Sequence, residues 1–195
     1  MDVLEAIKTR RSTGLVSQEP VPESLIEQIL EAGTWAPSHH QTEPWKFFVM
    51  TGEGRKPLGE VLADIAKEGM DEPSSEENIK KLEKTKEKPF RAPVVIAVAV
   101  EPSDNPKAIQ VEEYGAVFAA TQNMLLAAHA LGLGGFWRTG KPCYHSKMKK
   151  LFGLSENGDI LGFLYIGYPQ KKNPEGKRRP YHESTKWIQK EDDFN

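Results

Sequence analysis

Ala92-Pro93-Val94-Val95-Ile96-Ala97-Val98-Ala99-Val100 carries no polar side chain. A continuous apolar run of this kind reads as a strand buried on both faces. Outward from it, three shorter runs read as strands: the aromatic and β-branched residues 46–51, then 133–137 and 160–167. Helical spacing fills the intervals. Val3, Leu4 and Ile7 share one face of a short helix that ends near Arg10. Pro22 sits where a first helical residue tolerates it, Leu25, Ile26, Ile29 and Leu30 follow at helical spacing, and Gly33 lies close to that helix's end. Leu58, Val61, Leu62 and Ile65 mark another amphipathic helix, and residues 145–152 a further one. Residues 112–131 give the longest helix signal, about 30 Å at 1.5 Å per residue. This helix is apolar almost all round, which suits a core or an interface. Helices and strands interleave, but the strands are few and short, which favours a three-layer α/β/α sandwich over a long doubly wound sheet.

Residues 68–90 differ from the rest, being dense in Glu and Lys with Ile79 and Leu82 as the chief apolar anchors. Ser74 with Glu77 suggests a capping box for a polar helix. It reads as a solvated surface helix or as a mobile lid over a pocket. No internal repeat or linker divides the chain, so residues 1–195 are expected to form a single domain. The tail after Tyr168 carries Lys171, Lys172, Lys177, Arg178 and Arg179 and has no core of its own, so it is disordered or docked on a partner.

The 195 residues suffice for one sizeable core, and 38% hydrophobic with 28% charged residues suits a soluble globular protein. A net charge of -2 gives no signal for nucleic acid or an anionic membrane surface. The single cysteine, Cys143, excludes an intrachain disulfide framework and fits a reducing compartment. No apolar run approaches the roughly 20 residues that span a bilayer, and the acidic, amphipathic N-terminus does not look like a signal peptide. A cytoplasmic protein is expected.

Several familiar chemistries are missing. Gly132-Leu133-Gly134-Gly135 follows a helix and precedes a strand, the reverse of a dinucleotide-binding turn, so it reads as a helix stop and tight turn. There is no phosphate-binding P-loop, no zinc-ligand spacing and no nucleophile elbow, and Cys143 has no obvious partner base. Three polar clusters remain. Arg10-Arg11-Ser12 can clamp a phosphate, or its arginines can complement the dipole of the preceding helix. Ala36-Pro37-Ser38-His39-His40-Gln41-Thr42-Glu43-Pro44-Trp45 holds donors and acceptors suited to a planar, heteroatom-rich ligand. Gly135-Phe136-Trp137-Arg138-Thr139-Gly140 lets backbone approach a ligand between flanking glycines, or is an ordinary strand end with a core tryptophan.

In their order and spacing these clusters resemble the nitroreductase family of FMN-dependent oxidoreductases, in its small single-domain branch. Pro44-Trp45-Lys46-Phe47, the Gly-Leu-Gly-Gly turn and Gly162-Phe163-Leu164-Tyr165-Ile166-Gly167-Tyr168-Pro169 extend the likeness over essentially the whole chain. The resemblance implies an α+β three-layer sandwich and a homodimer with two FMN sites, each built from both subunits. It implies that Arg10 and Ser12 hold the phosphate end with Arg11 beside the pyrimidine. Ser38 and His39 would reach across from the partner, with Gln41 able to bond the flavin or its sugar chain. Trp137, Arg138 and Thr139 would line the isoalloxazine. Arg178 is the tail position that matches a phosphate-binding basic residue, and residues 169–195 would dock on the partner subunit. Trp35 and the helix end at Ala127 and Gly132 would serve the nicotinamide cofactor. The loop departs from the commoner pattern of two small hydroxyl residues and an asparagine. No metal and no catalytic side chain are implied, because flavin N5 carries the chemistry. The expected activity is ping-pong reduction of nitroaromatic, quinone or related small-molecule acceptors by NAD(P)H. Enone or flavin reduction and a non-catalytic FMN carrier are the alternatives.

Overall fold

A strand with no polar side chain needs apolar cover on both sides, and the fold supplies it. The computed structural model of the chain describes residues 1–190 and Asp193; the end of the expected tail, residues 191, 192, 194 and 195, lies outside the described residues. Four strands, β1 (Trp45–Thr51), β2 (Val94–Val100), β3 (Gly134–Arg138) and β4 (Asp159–Gly167), form one sheet of order β1-β2-β4-β3, antiparallel at every pairing. All of β2 is buried. Its Val94, Ile96, Val98 and Val100 enter one core and its Val95, Ala97 and Ala99 the other.

The first core is closed by α2 (Glu23–Thr34) and α5 (Gln110–Ala130), through Ile26, Ile29, Val117, Met124 and Ala128. The second is closed by α3 (Lys56–Glu68) and α6 (Ser146–Leu151), through Leu58, Leu62 and Met148. Helices, sheet and helices make the expected α+β three-layer sandwich. Gly33 does more than stop α2: a Cβ there would lie 2.9 Å from Met124 Cγ, so the glycine lets α2 approach α5 closely. α5 ends as its glycine suggested. Gly132 is left-handed (φ 82°), Gly132 N–H donates to His129 O, and Leu133 N–H donates to Ala128 O.

Three local features add to the expectations. The polar helix α4 (Glu76–Lys86) is capped one residue later than the pattern suggested: Ser75 Oγ accepts from Asn78 N–H at 3.3 Å. It packs on α3, where Gly59 meets the Lys86 carbonyl, so it is a surface helix tied into the fold. In α1 (Val3–Thr9) only Ala6 is buried, and Val3, Leu4 and Ile7 face outward in the single chain. On α5, Val111 and Phe118 are likewise exposed. The N-terminal half of that helix therefore buries one side and leaves apolar surface on the other.

A bulge shapes the sheet beside β3. The β2–β4 register shifts between Val98 and Ala99, inserting Leu161, and Gly162 takes φ 146°. A Cβ on Gly162 would fall 2.2 Å from Trp137 Nε1. The bulge aims the Leu161 carbonyl at Trp137, whose Nε1–H donates to it at 3.2 Å.

Candidate functional site

Two of the three polar clusters are physically joined. Ser12 bridges Gly135 in parallel, and Thr13 N–H donates to Gly135 O at 3.0 Å, so residues 12–13 lie along the outer edge of β3. The glycines make room for this contact: a Cβ on Gly134 would sit 2.8 Å from Thr13 Cγ2, and one on Gly135 2.8 Å from Leu125 Cδ2. Both close approaches are to the chain's own side chains.

The two arginines divide the roles they were given. Arg11 Nη1 donates to the Lys8 and Arg10 carbonyls at 2.8 and 2.7 Å, serving the end of α1, while its Nε is buried with no acceptor. Arg10 is the C-cap residue. Burial, then the like charges of Arg11 and Arg178, hold its guanidinium below the ordinary arginine value. The same field reaches His129, whose Nε2 lies 2.8 Å from Thr9 Oγ1; burial and then Arg10 and Arg11 lower it. Among the described residues no carboxylate pairs with Arg10, Arg11 or Arg178. Three cations gathered without a salt-bridged carboxylate carry charge that an anion would balance. Arg178 gets there because the tail folds back over its own chain: Asn173 Nδ2 donates to Thr13 Oγ1 at 2.7 Å, and Gly176 lies against the Arg11 guanidinium. Residues 170–176 thus lie against residues 11–15 of their own chain.

Along β3 the side chains alternate. Trp137 turns toward α5 and Phe118, its ring N–H already occupied by Leu161 O. Arg138 turns to the other face, its guanidinium 4.5 Å from the Phe136 ring centre and 5.0 Å from that of Tyr165. Its Nε is buried and has no acceptor. Thr139 is exposed, followed by Gly140 at φ 122°. Phe136 and Tyr165 were not singled out in the sequence as the platform for Arg138; the pairing crosses between β3 and β4.

The third cluster lies elsewhere. His40, Gln41 and Glu43 all have left-handed backbone (φ 57°, 52° and 45°), a concentration of strain in non-glycine residues that marks functional loops. Ser38 Oγ accepts from Glu43 N–H at 3.0 Å and meets Thr42 Oγ1 at 3.2 Å, so this hydroxyl holds the loop together. His39 Nδ1 lies 2.5 Å from Glu112 at the start of α5, and its ring stacks on His40 at 4.0 Å. Gln41 is exposed. Trp45 is buried and Phe47 packs on the same core, anchoring the loop's end. Glu112 and His129 are separated by about 25 Å of helix at 1.5 Å per residue. In one chain, therefore, the loop and the arginine cluster occupy opposite ends of α5.

Of the residues expected to serve a nicotinamide, Trp35 is 79% exposed and follows Gly33, which meets Met124 of α5. Ala127 and Gly132 lie at the C-terminal end of the same helix. Cys143 is buried, and burial pushes its thiol up to about 11, in keeping with an inert role. No described helix is long and apolar enough to cross a membrane.

Known proteins share the sequence pattern and the fold. The sequence profile of the nitroreductase family matches residues 7–168. YdjA of Escherichia coli K12, which carries a provisional NAD(P)H nitroreductase name, is 36% identical over 173 residues, 88% of this chain and 91% of its own. A nitroreductase-like family protein from Bacillus cereus superimposes with a TM-score of 0.81 at 30% identity, covering 97% of each chain. A Desulfovibrio desulfuricans protein, provisionally named a nitroreductase and crystallised with FMN, gives 0.70 at 28% identity over 97% of this chain and 98% of its own.

Proposed function

Because the chain belongs to the nitroreductase family of oxidoreductases, we propose that it binds FMN, draws electrons from NADH or NADPH, and reduces nitroaromatic, quinone or related small-molecule acceptors in a ping-pong cycle. The observation that carries this reading is the group of three guanidiniums without a carboxylate, set beside the β3 edge.

FMN fits what these residues lack. Its phosphate would neutralise the mutual repulsion of Arg10, Arg11 and Arg178, with Ser12 as an exposed hydroxyl beside them. Its electron-rich ring would accept from buried N–H groups that have no partner, Arg138 Nε above all. When bound, FMN supplies hydride exchange at its N5. Arg138, fixed over Phe136 and Tyr165, would offer a positive charge to a bound flavin, which gains negative charge on reduction. Trp137 is tied to Leu161, and residues 137–139 would line a bound flavin. No side chain of this set has to act as a general acid, since water can protonate the product.

Ser38, His39 and Gln41 complete the reading only in a homodimer. They stand at the far end of α5 from the cluster, and the exposed apolar side chains of Val3, Leu4, Ile7, Val111 and Phe118 offer surface for a second copy. Each loop then serves the partner's FMN, and Trp35 with the helix end at Ala127 and Gly132 serves the nicotinamide. Residues 1–195 act as one domain in the cytoplasm, with the tail beyond Arg178 reaching the partner. Anaerobic stopped-flow mixing tests the activity: NADH or NADPH should bleach the flavin absorbance of the yellow protein, and an added nitroaromatic should restore it. A protein that keeps its FMN oxidised under both reductants would instead be a carrier.

A further inference from the structure

The tail does not reach the arginine cluster by a random path. Val16 bridges Pro169, Ser17 N–H donates to Tyr168 O at 2.8 Å, and Gln170 N–H donates to Leu15 O at 3.2 Å. Asn173 then meets Thr13, Gly176 meets Arg11, and Arg178 comes within the field of Arg10. The tail thus retraces residues 10–16 in the opposite direction. Beyond Gln170, Asn173 Nδ2 to Thr13 Oγ1 is the one hydrogen bond that ties the described tail to the body of the chain. Thr13 is a firm anchor. It is 5% exposed, its N–H is bonded to Gly135 O, and its side chain is wedged against Gly134.

We infer that Asn173 is a positioning residue of the phosphate site: its amide holds the tail against Thr13 and so delivers Arg178 to Arg10. The inference rests on the proposed FMN reading. Bringing a third guanidinium beside two others is opposed by their repulsion, so an arm without a tie would swing away whenever the anion leaves. The Asn173 bond keeps the arm in place and lowers the ordering cost of binding. Asn173 itself touches no ligand; it acts through Arg178.

FMN and riboflavin, which differ only in the phosphate, separate this role from a structural one. Both are titrated into the apoprotein by quenching of flavin fluorescence, in wild type, Asn173→Ala, Arg178→Gln and the double variant. One hydrogen bond is worth roughly threefold to tenfold in affinity. Asn173→Ala should weaken FMN by about that factor, leave riboflavin unchanged, and add nothing to Arg178→Gln. If Asn173→Ala leaves FMN affinity intact, weakens FMN and riboflavin alike, or keeps its full effect beside Arg178→Gln, the positioning role is wrong. A wild-type protein that binds both flavins equally would remove the phosphate assignment itself, whatever Asn173 does.

Discussion

Gly162→Ala should be among the most damaging single-methyl changes in this chain, and its cost can be worked from three contacts. The new Cβ would stand 2.2 Å from Trp137 Nε1, 2.7 Å from Trp137 Cδ1 and 2.8 Å from Arg138 O. Ordinary contacts between such atoms are about 3.5–4.0 Å, so the indole must move by more than 1 Å or the bulge must open. Moving the indole breaks its bond to Leu161 O, roughly 1 kcal/mol. Overpacking adds about 1–3 kcal/mol. The backbone angle of 146°, which an L side chain rarely adopts, adds about 1–3 kcal/mol more. A total of about 3–7 kcal/mol corresponds to a fall of roughly 6–28 °C in Tm for a domain of this size. Gly153→Ala is the internal comparison. Gly153 also has positive φ (64°), but its Cβ would meet nothing within 4 Å, so only the backbone term applies, about 1 kcal/mol. Both variants are read by urea unfolding at fixed protein concentration. Equal losses for the two glycines would refute the claim that Trp137 is clamped over the bulge. Flavin affinity should follow the same order, because Trp137 and Arg138 flank the displaced atoms.

Two further outcomes follow from other parts of the structure. Burial raises the Cys143 thiol from 9.0 to about 11, so the native state holds this proton more tightly than the unfolded chain. Its stabilisation, about 2–3 kcal/mol, is complete below pH 9 and lost as pH rises through 11. Unfolding free energies measured from pH 8 to 11 should fall less steeply in Cys143→Ala than in wild type, and parallel curves would contradict this. Mixed dimers test whether the site takes two chains. Arg10→Ala and His39→Ala subunits, each defective alone, should regain one intact site per mixed dimer when unfolded and refolded together, seen as recovery of about a quarter of the wild-type FMN reduction at equal mixing if subunits pair at random. Recovery no greater than the mean of the separate variants would place both residues in a one-chain site.

What could be read in the sequence was what depends on near neighbours. The doubly buried β2, the stop at Gly132 and the role of Trp45 all follow from local composition and spacing. Contacts between distant segments were not legible. Nothing local tells Arg11 to serve the carbonyls of α1 while Arg10 stays free, since both readings are compatible with a helix end. Glu112 as the tether of His39 lies 73 residues away, and Asn173 lies 160 residues from Thr13. Gly162 looked like any strand glycine until the bulge and the indole were seen together. The capping serine was misplaced by one residue because Ser74 and Ser75 are equivalent to a short motif.

The long helix links these local and distant features. A soluble helix normally buries one stripe and shows a polar face to water, yet α5 keeps Val111 and Phe118 on its open side. The same helix carries His39's tether at one end and the Arg10 neighbour His129 at the other. On the two-chain reading these facts have one cause. A two-fold pairing through the open sides of α1 and α5, with its axis running across α5, would cover the apolar residues and set the loop end of each chain at the arginine end of its partner. Two identical sites then arise from one contact. Each is stable only as long as the pair persists, so FMN retention should weaken on dilution together with dimerisation.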